Sequence, residues 1–65
     1  MITINGEKLD NIVGMTVAAY LMENGYDRNR VAVEVDGEIV PKMQYESTVL
    51  RDDNIVEVVS FVGGG

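Results

Sequence analysis

The chain has no cysteine, no histidine and no tryptophan, and a single proline among its 65 residues. Without Cys or His there is neither a disulfide staple nor a structural zinc site, so the apolar core must hold the fold by itself. The missing thiols carry no sign of an oxidising compartment, and a cytoplasmic protein is the expectation. No apolar run approaches the roughly 20 residues of a membrane span, and the first residues alternate too early for a signal peptide. Basic residues are scarce. Five Lys and Arg face eleven Asp and Glu, for a net charge of −6. A surface of that sign repels phosphates and anionic headgroups, which argues against nucleic acid and membrane partners. It would steer in a basic protein partner, or simply keep the chain soluble. Length is the last shortage: there is room for one domain, and none for a deep cofactor cleft beside a catalytic constellation. The expectation is a chain that is not an enzyme, with no catalytic residue, no metal and no bound cofactor.

What is present is a core and clear punctuation. Hydrophobic residues make up 46% of the chain, enough to argue against disorder. Ile2-Thr3-Ile4 alternates with period two and runs into Asn5-Gly6, a strong two-residue hairpin signal because both central positions of a type I′ turn need positive φ. Residues 1 to 5 and 7 to 12 read as an antiparallel hairpin, with Ile2 and Ile4 on one face and Thr3 on the other. Thr16 is an N-cap for a helix over Val17 to Asn24, whose Val17, Tyr20 and Leu21 form one apolar stripe. Gly25 is placed at its C′ position. Eight or nine residues cannot stand alone as a helix, so this one must lie on a sheet. Val31 to Val35 is a strand, and Asp36-Gly37 closes a second hairpin onto Glu38 to Val40, where Pro41 stops the ladder at a sheet edge. Lys42 to Glu46 reads as one helical turn, Val49-Leu50 as a brief pairing, and Arg51 to Asn54 as a turn. Ile55 to Phe61 is an apolar, β-branched last strand.

Hairpin, helix, hairpin, loop and strand make an α+β roll: a mixed sheet with one helix across one face, the last strand central and parallel to the first. That is the β-grasp arrangement. Residues 1–61 form the domain, and 62–65 a flexible C-terminal Gly tail.

Two features bear on function. Glu57 must face solvent, so Ile55, Val59 and Phe61 share its side of the sheet, beside Ala32, while Val56 and Val58 face the helix. An exposed cluster of that kind marks a partner surface. A blander account folds Phe61 back over the loop around Tyr45. The second feature is the ending Gly63-Gly64-Gly65. A peptide without side chains can thread a narrow tunnel that any Cβ would block, which suits a terminal carboxyl that is itself reactive. A blander account makes it an idle end.

These features together resemble the ThiS family, the sulfur carriers of thiamine (thiazole) biosynthesis, which are ubiquitin-like β-grasp proteins. The resemblance covers the whole chain. It rests on the short length, the early Asn5-Gly6 turn, the segment Val-Ala-Val-Glu-Val-Asp-Gly-Glu-Ile-Val-Pro from Val31 to Pro41, and the ending Val59-Ser60-Phe61-Val62-Gly63-Gly64-Gly65. One departure is Asp53-Asn54, where the family commonly has Gly-Asp; both residues tolerate the left-handed region better than most.

The resemblance implies a chemistry. An E1-like adenylating enzyme (ThiF-type) would use ATP and Mg²⁺ to activate the Gly65 carboxylate. Sulfur from a persulfide donor, a cysteine desulfurase, would replace AMP and leave a thiocarboxylate. Thiazole synthase (ThiG-type) would then take that sulfur. Gly63 and Gly64 would thread the partner's active site, and Val59, Phe61 and Val62 would dock. The alternatives are a molybdopterin-synthase-type sulfur carrier, a ubiquitin-like modifier joined to lysine, and a binding module with an idle tail. The molybdopterin-type family tends to be longer and has proline shortly before its glycines, where this chain has Phe61-Val62.

Overall fold

The computed structural model describes residues 1–61. The first hairpin pairs β1 (Ile2–Ile4) with β2 (Glu7–Leu9), antiparallel, with Ile2 opposite Leu9 and Ile4 opposite Glu7. Its two turn residues sit at φ 49° for Asn5 and 85° for Gly6, the left-handed pair that a type I′ turn demands. The second strand is shorter than its sequence suggests. It stops at Leu9, and the chain turns away before Ile12, which enters the core.

The helix α1 runs over Val17–Glu23. Thr16 caps it by accepting the Ala19 N–H at 3.1 Å. At seven residues it is shorter than expected, because Asn24 is its C-cap rather than its last turn. Gly25 (φ 76°) donates to the Met22 carbonyl, and the Tyr26 N–H reaches back to Leu21 at 3.0 Å. That bond pair is the Schellman closure, and Tyr26 packs against the core beside it.

β3 (Val31–Val35) pairs antiparallel with β4 (Glu38–Ile39) on one side and with β5 (Ile55–Ser60) on the other, and β5 joins this hairpin to the first. The strand order is β2-β1-β5-β3-β4, with β5 parallel to β1 and antiparallel to β3. The apolar last strand is therefore central, as its composition implies.

One face of the sheet carries the core. Ile2, Ile4, Val31, Val33, Val56 and Val58 point toward Val17, Tyr20 and Leu21 of α1. The long connection from Pro41 to Asn54 contributes more than its sequence suggests. Only Lys42–Gln44 is helical, a single 3₁₀ turn, and the Val49 pairing reduces to one bridge with Thr16. Yet Tyr45 and Leu50 are among the most deeply buried side chains of the domain. Carbonyls of this segment also satisfy the first N–H groups of α1: Thr48 accepts from Val17 at 2.9 Å and Tyr45 from Ala18 at 2.8 Å. Phe61 stays exposed, so the alternative of its folding over the loop around Tyr45 does not hold.

Candidate docking face and the end of the last strand

Strand alternation makes the face opposite α1 a surface in its own right. Ile55, Val59 and Phe61 are 58%, 53% and 56% exposed, whereas Val58 between them is only 7% exposed. The parity read from Glu57 is correct. Register adds the neighbours. Ala32 lies opposite Val59, Glu34 opposite Glu57, and Ile39 of the edge strand opposite Glu34. Ile39 is 70% exposed and extends the apolar face across three strands. On the far side Ile55 is registered with Thr3, and Thr3 with Lys8.

The C-terminal end of β5 is held from both sides. Toward β3, pairing continues one residue past the strand, where the Phe61 N–H donates to the Arg30 carbonyl at 2.6 Å. Toward β1, the neighbouring strand has already ended at Ile4 and turned. There the Asn5 side chain takes over the ladder: its Oδ1 accepts from the Val58 N–H at 2.9 Å and its Nδ2 donates to the Val58 carbonyl at 3.2 Å. An amide side chain thus stands in for the next residue of a strand. At the start of β5, Asp36 (φ 52°) does similar duty, accepting from the Ile55 N–H and from Asn54 Nδ2, both at 2.8 Å. Asp53 takes the left-handed conformation at φ 70° in the turn where the family commonly has glycine.

Val59 and Phe61 are brought together as expected. Val62, Gly63, Gly64 and Gly65 lie outside the described residues. Sequence reasoning read Asn5 only as a turn former, and did not see that Glu34 meets Glu57 or that Ile39 joins the face. Those relations need the register between strands far apart in sequence, which composition does not encode.

Surface grooves of about 470 and 230 Å³ flank the helix, and neither is lined by Ile39, Ile55, Val59 or Phe61. Among the described residues no three Asp or Glu side chains converge as a metal cage would require. Among the described residues no helix is long and apolar enough to cross a membrane. Burial pushes the Tyr20 and Tyr45 phenols above their ordinary value. At the opposite end of the sheet, the N-terminal ammonium and Asp52 form an ion pair that raises the amine and lowers the carboxyl.

A five-stranded mixed sheet folded around one helix, with a central last strand leading to the C-terminus, defines a ubiquitin-like β-grasp protein. Over 98% of its length the chain superimposes on 97% of the crystal structure of the thiamine biosynthesis protein ThiS from Geobacter metallireducens, with a TM-score of 0.76 and 28% identity. The family model described as ThiS family matches residues 2–65, and the chain belongs to that family. It is 41% identical over 49 residues to the sulfur carrier protein ThiS of Bacillus subtilis, covering 75% of this chain and 68% of that one. It is also 45% identical over 64 residues to a thiazole synthase of Paramagnetospirillum magneticum, covering 98% of this chain. The chain spans about a fifth of the length of the curated thiazole synthases it matches.

Proposed function

We propose that this chain is a sulfur carrier for thiazole formation in thiamine biosynthesis, and that Gly65, presented as the free end of the chain, carries the sulfur. The match of the ThiS family model over residues 2–65, which takes in the glycine end, carries this reading. A carboxylate is a poor electrophile because its charge repels nucleophiles. An E1-like adenylating partner, using ATP and Mg²⁺, converts it to an acyl adenylate and releases pyrophosphate. The terminal sulfur of a persulfide, supplied by a cysteine desulfurase, attacks the carbonyl carbon, and AMP leaves with the bonding pair. A thiol reductant then cleaves the sulfur–sulfur bond and leaves the thiocarboxylate.

In this reading the chain acts as a handle and not as an enzyme. Its open face docks, and β5, held at Val58 and Phe61, is a fixed base for the tail. Gly63 and Gly64 thread the partner's channel, and Val62 docks with Val59 and Phe61. From Phe61 the last four residues reach at most about 13 to 14 Å. The thiazole synthase relatives support thiazole synthase as the sulfur acceptor. In those proteins a segment similar to this chain makes up a fifth of one polypeptide named for that enzyme.

Intact mass after incubation with ATP, Mg²⁺, the adenylating enzyme and a persulfide source tests the reading. The expected product is heavier by sulfur minus oxygen. An unchanged mass, or much larger adducts on lysine-bearing proteins, would overturn it in favour of a binding module or a protein modifier.

A further inference from the structure

Apart from Thr3 and Lys8 on its β1–β2 side, the open face of the sheet is apolar except at its centre, where two carboxylates are set directly against each other. Glu34 on β3 and Glu57 on β5 are cross-strand partners, and both are exposed. Side chains so registered sit about 4.5 to 5.5 Å apart at Cβ, and like charges there oppose strand pairing. Among the described residues neither forms an ion pair. Of the chain's five Lys and Arg, Arg51 lies in the turn before β5. Arg28 and Arg30 pair with Glu46 and Asp27, and Lys42 bonds the Asn29 carbonyl. Lys8 shares the face but lies two strands from β5, on the row of Thr3 and Ile55. Around the acid pair stand Val59 and Ala32 on one side, Ile39 on the edge strand and Ile55 two residues back.

We propose that this face docks the adenylating enzyme of the reading above through an arginine or lysine that enters between Glu34 and Glu57. Apolar side chains around that cation cover Val59, Phe61, Ile55 and Ile39. The inference rests on that reading for the identity of the partner; the chemistry of the contact comes from the face itself. In water the two carboxylates repel weakly, but once the flanking apolar residues close over them the repulsion grows unless a cation joins them. A planar guanidinium can bridge two carboxylates at once, which favours arginine. A second copy of this chain does not fit, since it would bring the same acid pair and a further net charge of −6 against the first.

The test uses Glu34→Gln, Glu57→Gln, the double variant and Glu57→Lys in the full chain, with Glu23→Gln on the exposed side of α1 as a control. Relief of the repulsion should raise the melting temperature of the Gln variants by about 1 to 5 °C. Affinity for the adenylating enzyme, measured by calorimetry, should fall about tenfold or more in the double variant and further in Glu57→Lys, with a flatter dependence on salt. Glu23→Gln should bind as the wild type does. If the double variant binds as tightly as the wild type while wild type still gains sulfur, the inference is wrong and the sulfur-carrier reading stands. Equal weakening by Glu23→Gln would reduce the effect to net charge and overturn it, as would a dimer formed through this face in sedimentation. A wild type that never gains sulfur would instead overturn the underlying reading and with it this choice of occupant.

Discussion

Replacing Asn5 by alanine should cost this domain a large part of its stability, although the side chain is exposed. Two bonds are lost, to the N–H and the carbonyl of Val58, each worth about 0.5 to 1.5 kcal/mol net. Alanine must also hold φ near 49° without asparagine's tolerance of that region, which adds at most about 1 to 2 kcal/mol. The sum is about 1 to 5 kcal/mol. A domain of 65 residues at about 0.05 to 0.15 kcal/mol per residue has little more than that to lose. Asn5→Gly separates the two contributions, because glycine accepts the backbone conformation and loses only the bonds. Asn5→Asp keeps the acceptor for the Val58 N–H but not the donor, and should fall between Asn5→Gly and the wild type. Urea unfolding read by circular dichroism gives the free energies, and amide exchange at Val58 reports the clamp directly. The reasoning fails if Asn5→Gly melts with the wild type and the Val58 amide keeps its protection.

The two faces of β5 should respond oppositely to truncation. Val58→Ala should lower stability by about 1.5 to 3 kcal/mol through lost burial and a cavity, whereas Phe61→Ala should melt like the wild type and lose affinity for the adenylating enzyme and thiazole synthase. Early melting of Phe61→Ala with normal binding would mean the docking face lies elsewhere. Appending one alanine after Gly65 should abolish sulfur loading without shifting the melting temperature, and mass spectrometry beside thermal unfolding checks both. Tyr20 and Tyr45 should ionise above 10.0 in the folded protein, because burial disfavours the charged phenolate. Their folded values exceed the unfolded one, so their contribution is complete below pH 10 and is lost as pH rises through the folded values. Ultraviolet titration alongside alkaline unfolding measures this, and phenols that ionise at 10 with no alkaline loss would contradict it.

The parts of the fold legible in the sequence are those with local causes. Asn5-Gly6 and Asp36-Gly37 announce their turns because only a few residues accept positive φ, and Thr16 and Gly25 bracket the helix for equally local reasons. Parity along one strand was enough to separate Val58 from Phe61. The connection from Pro41 to Asn54 is the least legible segment. It has almost no periodicity, and its order comes from Tyr45 and Leu50 sinking into a core built by other elements. The Glu34–Glu57 opposition was hidden for a related reason, since register is a property of two strands and neither one contains it.

The strand order has a consequence for how the protein comes into being. β1 and β3 do not pair with each other; the two hairpins join into one sheet only through β5. A nascent chain that has emerged only as far as Asn54 therefore owns two hairpins and a helix but no continuous sheet, and most of its apolar surface has nothing to close against. The segment that completes the fold is the one that leads into Phe61. A chain cut short before β5 lacks the strand that joins the two hairpins, and should therefore unfold and be cut by proteases more readily than the full chain.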